Sequence, residues 1–204
     1  MNKAIDIYIT QLRNKNSSRQ QFQKYSSLIS NLLAQETLLH LQTKNITFET
    51  PIAQTTGIEL KNEIILCAIL RSGISMISPF LTYFPGAAIG IIGAKRDEKT
   101  AQADLYYQNL PPLSANQQII ILDPMIATGG TGIIALNLLS QKGVKPENII
   151  FVSIVSAPEG INNIKKFYPH ITLITAAQDQ KLNDKKFIVP GLGDFGDRYF
   201  GTIE

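Results

Sequence analysis

The chain has 204 residues, 44% hydrophobic and 17% charged, with a formal charge of +3; this length and apolar content suit one domain with a substantial core and exclude an intrinsically disordered chain. The basic residues are dispersed, with pairs such as Lys165-Lys166 and Lys185-Lys186 but no stripe, so nucleic acid is not the expected partner and small anionic substrates are. A single cysteine, Cys67, excludes an intramolecular disulfide framework and a Cys-rich metal site, and no apolar run approaches the ~18 residues of a membrane span.

The N-terminal MNKAIDIYIT alternates polar and apolar residues and lacks the apolar core of a signal peptide, so the cytoplasm is the expected location and no membrane is a partner. After this polar lead, Ser18-Arg19-Gln20-Gln21 forms a capping-box pattern, and Phe22, Tyr25, Ile29, Leu32 and Leu33 fall on one helical face. That predicts an amphipathic helix of roughly 20 residues. Segment 45–60 alternates weakly and contains Pro51 and Gly57, which predicts a peripheral hairpin.

From residue 64 onward, apolar runs bounded by loops recur at 64–70, 87–93, 118–122, 148–155 and 171–177, as buried parallel strands do. Helical patterns lie between them at 74–84, 131–143 and 159–168. The alternation predicts an α/β fold: a single domain, 1–204, with a mainly parallel central sheet flanked by helices. Polar segment 95–110, returning as LYYQNL, predicts a projecting arm or lid. Ligands of such sheets bind beyond the carboxyl ends of the strands, so the loops after residues 70, 93, 122 and 155 are the expected site.

The tail VPGLGDFGDRYFGT contains Gly191-Leu192-Gly193-Asp194-Phe195-Gly196, which satisfies G-x-G-x-x-G. A dinucleotide fingerprint requires a following helix, a second strand and an acidic ribose ligand about 20 residues on. Only residues 197–204 follow, so that reading fails on geometry.

The loop after 118–122 reads Asp123-Pro124-Met125-Ile126-Ala127-Thr128-Gly129-Gly130-Thr131-Gly132 and runs into a helix. Its glycines, its two threonine hydroxyls and the helix N-terminus make a phosphate cradle. No Walker-A lysine precedes the final threonine, which disfavours triphosphate hydrolysis. A carboxylate at the strand tip, five residues before Thr128, can accept hydrogen bonds from vicinal sugar hydroxyls while the turn grips a phosphate of the same sugar. The bland alternative is an Asp that ends a strand and a turn that caps a helix.

The stretch ILDPMIATGGTG resembles the phosphoribosyl-pyrophosphate loop of phosphoribosyltransferases, in the form found in the uracil phosphoribosyltransferase family. Three further stretches agree in order: AILRSGISM at 68–76, APEGI at 157–161 and the tail at 189–202. The similarity covers roughly residues 64–203, with a looser match before residue 60. It implies transfer of phosphoribose from phosphoribosyl pyrophosphate to uracil, giving UMP and pyrophosphate, with Mg²⁺ carried on the donor and no metal ligand assigned to the protein. Family members commonly form dimers or higher assemblies, and some are activated by GTP.

By the same resemblance, Arg71, with Ser72 and Gly73, and Arg96 contact pyrophosphate. Asp123, Pro124, Met125, Ile126, Ala127, Thr128, Gly129, Gly130 and Thr131 bind the donor together with Asp194, and the catalytic set is Asp123, Arg71 and Arg96. The uracil edge is held by the backbone of Ile188 and the turn Gly193-Asp194-Phe195, whose glycine lets the main chain approach a flat ring. Lys95 stands where the family commonly has an aromatic residue, and Phe195 where many members have a small one; a Phe195 ring in the cleft would alter base affinity. No general base for uracil N1 is identified. The sugar-phosphate loop alone leaves purine and orotate transfer open, and the PGLGD tail argues for uracil. A non-catalytic nucleotide- or RNA-binding relative would be expected to lack Asp123, Arg71 or the glycines, all of which are present.

Overall fold

The computed structural model describes residues 3–96 and 103–202, with the backbone alone at Arg96 and Ala103. Two helices open the chain, α1 (Lys3–Arg13) and α2 (Arg19–Leu38). The first replaces the expected polar lead. Ile7 points outward while Ile9 and Leu12 are buried and Ile5 and Tyr8 pack beside them, a spacing of 3–4 residues that the apparent alternation of Ile5, Ile7 and Ile9 conceals.

Helix α2 begins at the expected capping box: Ser18 Oγ accepts from Gln21 N–H at 3.2 Å and Gln21 Oε1 from Ser18 N–H at 2.8 Å, a reciprocal cap of about 1 kcal/mol. Its Phe22, Ile29 and Leu33 are buried. Strands β1 (Thr43–Glu49) and β2 (Gln54–Leu60) then form a separate antiparallel hairpin.

The central sheet comprises β3 (Ile64–Ile69), β4 (Ala88–Arg96), β5 (Ala103–Asn109), β6 (Gln118–Leu122), β7 (Met125–Ile126), β8 (Ile149–Ser156) and β9 (Thr172–Gln178). Its order is β5–β4–β3–β6–β8–β9, with the short β7 continuing along β8 beyond the end of β6. Every pairing is parallel except β4 with β5. Of the arm expected at 95–110, residues 95–96 end β4 and residues 103–109 form its antiparallel partner β5, and residues 97–102 lie outside the described residues.

Alternate side chains enter two cores. Leu66, Ile120, Leu122, Val152 and Ile154 pack with α1, α2 and α3 (Ile74–Tyr83) on one face. Ile65, Cys67, Ile119, Ile121 and Phe151 pack with α4 (Gly130–Gln141) and α5 (Pro158–Phe167) on the other. Each fully buried aliphatic or phenyl side chain contributes about 1.5–3 kcal/mol. Burial on both faces is why the strand sequences are continuously apolar. Burial pushes the Cys67 thiol up to about 12, an inert structural thiol as its surroundings predict. The chain closes with a small hairpin, β10 (Lys181–Leu182) and β11 (Ile188–Val189), and the short helix α6 (Phe195–Phe200).

Candidate active site

The loops after β3, β6 and β8 lie at one end of the parallel sheet. Beyond β6, Asp123 to Thr131 wrap a small cleft of about 80 Å³, bounded beneath by Phe151 and Ile164. The volume suits a phosphate group. Gly129, at φ +78°, turns the chain into α4 and has no side chain to cap it. The positive N-terminus of this helix lines the cleft. Its first N–H, that of Gly130, donates to Thr128 Oγ1 at 3.4 Å.

Asp123 stands at the mouth of this loop, where its N–H donates to the Val152 carbonyl at 3.2 Å and fixes it to the middle of β8. Asp123 is half-buried. Burial pushes its pKa up to about 7, against a smaller opposing effect of the Met125 N–H, 3.4 Å from Oδ1. A carboxylate poised near neutrality is responsive to any ligand that donates hydrogen bonds to it.

Two contacts hold the loop from behind. Gly160 on α5 lies so close that a Cβ there would sit 2.4 Å from the Ala127 carbonyl oxygen, and a Cβ on Gly129 would sit 2.7 Å from the Gly160 oxygen. Asn163 Nδ2 donates to the Thr128 carbonyl at 2.9 Å. The APEGI stretch thus braces the cradle. A side chain at Gly129 would strike α5, so the need for glycine is one of loop packing and positive φ.

On α5, one turn earlier than Asn163, Glu159 Oε1 accepts from Leu182 N–H at 2.9 Å, and this bond, more than the nearby lysines, holds its carboxyl below the usual range. One helix therefore touches both the cradle and the β10–β11 hairpin. Between them lies a cleft of about 460 Å³ lined by Thr128, Glu159, Asn163, Leu182, Asn183, Asp184 and Lys186.

The loop after β3 approaches from the other side. A Cβ at Gly73 would lie 2.3 Å from the Leu122 carbonyl oxygen, so glycine lets this loop rest on the end of β6. The Leu70-Arg71 and Val189-Pro190 peptides are cis. Arg71 is exposed, with Nη2 3.3 Å from Thr202 Oγ1 and 3.6 Å from Asp197 Oδ1, and its guanidinium lies 5.5 Å from the Phe200 ring centre. A Cβ position on Gly196 is within 3.2 Å of Ser72 Oγ, 3.3 Å of Asp194 Oδ1 and 3.7 Å of Arg71 Nη2. Arg71, Ser72 and Asp194 are thereby neighbours.

In the tail, Asp194 Oδ1 accepts from Asp197 N–H at 2.9 Å and caps α6. Gly193, at φ +81°, is exposed beside it, and Ile188 is buried in β11. The Phe195 ring does not enter the cleft: it is 1% exposed and packs between Phe22, 5.1 Å away, and Tyr199, 5.6 Å away. The expected effect of this ring on the base therefore falls away, and Phe195 instead anchors the tail to α2. Arg198 ties the tail further, with Nη1 donating to the Leu192 carbonyl at 2.7 Å and to that of Leu12, and Nη2 to that of Asn14 at 2.8 Å.

Lys95 is exposed in β4 opposite Asp104, and the Arg96 side chain lies outside the described residues. Among the described residues no group of three or more His, Cys, Asp and Glu gathers as a metal cage, and no helix is long and apolar enough to cross a membrane. A cleft of about 700 Å³ lies at the amino ends of β3 and β4, lined by residues such as Ile64, Phe84 and Ala88. It is remote from the glycine loops, and the carboxyl end of a parallel sheet is where ligands of this architecture bind.

The uracil phosphoribosyltransferase family model matches residues 1–202. The uracil phosphoribosyltransferase of Campylobacter concisus is 42% identical over 199 residues, covering 98% of this chain and 95% of the relative, and that of Mycoplasma genitalium is 41% identical over 194 residues, covering 95% and 93%. Among solved structures, the AQ2163 protein of Aquifex aeolicus superposes with a TM-score of 0.88 at 32% identity, covering 98% of this chain and 95% of its own. Whole-length agreement in sequence and in fold, together with the cradle, the arginine loop and the glycine-rich tail, places this chain in the uracil phosphoribosyltransferase family.

Proposed function

We propose that this chain transfers the 5-phosphoribosyl group of phosphoribosyl pyrophosphate to uracil, giving UMP and pyrophosphate in pyrimidine salvage. The observation that carries the reading is the glycine loop at the N-terminus of α4 beside Asp123, opposite the Arg71 loop and the 188–195 tail. In this reading the Thr128–Thr131 turn grips the 5′-phosphate and the residues from Asp123 to Ala127 shape the wall against the ribose. Asp123 accepts from the ribose hydroxyls, and Arg71 and Arg96 hold the leaving pyrophosphate.

The C1′–O bond breaks with its electron pair going to pyrophosphate, the N1–C1′ bond forms, and the uracil N1 proton is released. Positive charge developing on the sugar is offset by Asp123, an interaction stronger in the transition state than in the ground state. The Ile188 carbonyl and the amides of Gly193, Asp194 and Phe195 meet the uracil edge. Asp194, beside Ser72, lies toward the donor side of the pocket.

Mg²⁺ enters this reading as an ion carried by the phosphate oxygens of the donor, with no protein ligand assigned to it. Bound there, the ion would neutralise pyrophosphate charge as that group leaves. Residues 1–204 act as one domain in this reading, in the cytoplasm and without nucleic acid. A dimer or higher assembly would cover exposed apolar side chains of the β1–β2 hairpin, where Ile52 in the turn is 96% and Ile58 69% exposed.

The test is product formation from phosphoribosyl pyrophosphate and Mg²⁺ with uracil, cytosine, orotate and hypoxanthine in turn. UMP from uracil alone is expected; a nucleotide from another base at comparable kcat/KM would replace the assignment.

A further inference from the structure

Arg13 ends α1, outside every motif of the sequence. Its guanidinium forks onto Asp179: Nη1 donates to Oδ2 at 2.8 Å and Nη2 to Oδ1. Nη1 also donates to the Gly191 carbonyl at 2.9 Å, and Asp179 Oδ2 accepts the Gly191 N–H at 2.7 Å. Both main-chain polar groups of Gly191 are thus held by one ion pair. The Asp179 side chain is 3% exposed and that of Arg13 24%. Asp179 is in turn fixed to the sheet, its N–H donating to the Ser156 carbonyl at 2.8 Å at the end of β8.

Gly191 closes a tight turn. Its φ is +64°, and a Cβ there would sit 2.2 Å from the Ile188 carbonyl oxygen. Gly191 thus packs directly against that carbonyl, and Gly193 follows two residues later. A bidentate charge-assisted pair is stiff and directional, and Arg13 holds two partners at once that no lysine can hold in the same geometry.

We propose that Arg13 and Asp179 are positioning residues for base recognition: acting through Gly191, they set the Ile188 carbonyl and the Gly193 turn at the spacing that uracil requires. Helix α1 then belongs to the base site without touching substrate. The inference rests on the reading of the 188–195 tail as the base pocket.

The test compares Arg13→Ala and Arg13→Lys with wild type in steady-state kinetics, varying uracil and phosphoribosyl pyrophosphate separately. Removing one partner of a buried charge-assisted pair leaves polar groups unpaired, so Arg13→Ala should raise the uracil KM about tenfold or more while the donor KM stays within about twofold. Arg13→Lys should show the same split, smaller, and it carries the test if Arg13→Ala does not fold. A purely structural role would lower melting temperature and active fraction without separating the two KM values. Wild-type uracil use with unmoved uracil KM in the folded variants, or an equal rise in both KM values, overturns the positioning role alone. A wild type that does not use uracil overturns the base-pocket reading and this inference with it.

Discussion

Asp123 shows how one residue's surroundings set its chemistry. Its folded-state pKa of about 7 lies above its ordinary 3.8, so between about pH 4 and 7 the folded chain retains a proton that the unfolded chain has released. Stability therefore falls as pH rises through that window, and Asp123→Asn should flatten this slope in pH-dependent unfolding. Ribose hydroxyls donate to the ionised form, so donor binding should expel the proton. Calorimetry near pH 6 in buffers of different ionisation enthalpy should detect release in wild type and none in Asp123→Asn. The same variant, folded, should lose turnover by about 10²-fold or more, the scale of removing a transition-state stabiliser worth ~2.7–4 kcal/mol; near-normal turnover would remove Asp123 from the mechanism.

Glycines at this scale separate into two kinds. At Gly129 a side chain meets the α5 backbone 2.7 Å away at φ +78°, so Gly129→Val should deform the cradle and abolish detectable donor binding by calorimetry. At Gly193 the nearest atom to an added Cβ is Arg198 Cδ at 3.5 Å. There the protein has room, and the cost of substitution is left-handed backbone, about 1–2 kcal/mol, plus whatever the side chain does to a ligand.

Among the elements, α5 joins the two halves of the site: Glu159 holds the β10–β11 hairpin and Asn163 the cradle. A neutral hydrogen bond contributes about 1 kcal/mol, so Asn163→Ala should raise the donor KM about fivefold with uracil KM nearly unchanged; equal changes in both would contradict the brace. The helices and strands with strong periodicity were legible in the sequence, from the α2 capping box to β3, β6 and β8. Helix α1 was not, because Ile5, Ile7 and Ile9 mimic a strand's alternation, and β7, β10 and β11 are two-residue pairs that carry no periodic signal at all. Nor did sequence indicate why APEGI matters. A glycine in a helix's first turn marks a close approach, but the approached atom, the Ala127 carbonyl, belongs to a distant part of the chain.

Across the whole molecule, the site is an assembly of local motifs held by long-range contacts. The cradle, Arg71 and the glycine tail could be named from sequence because each is a contiguous stretch. What holds them in register could not: Arg13 and Asp179 are 166 residues apart in sequence, and Phe195 packs on Phe22 in the core instead of facing the base. In the proposed function, main chain of 188–195 reads the base while the 123–131 loop holds the donor. A main-chain carbonyl that accepts uracil N3–H meets a lone pair in cytosine, and sites built around such a bond discriminate by as much as about 10⁴–10⁵. The most direct measurement is kcat/KM for uracil and cytosine in wild type and Gly193→Val, with the donor KM alongside. Negligible cytosine use by wild type and a sharply raised uracil KM in Gly193→Val, with the donor KM little changed, are expected; comparable use of cytosine, or an unaffected Gly193→Val enzyme, would contradict base reading by this main chain.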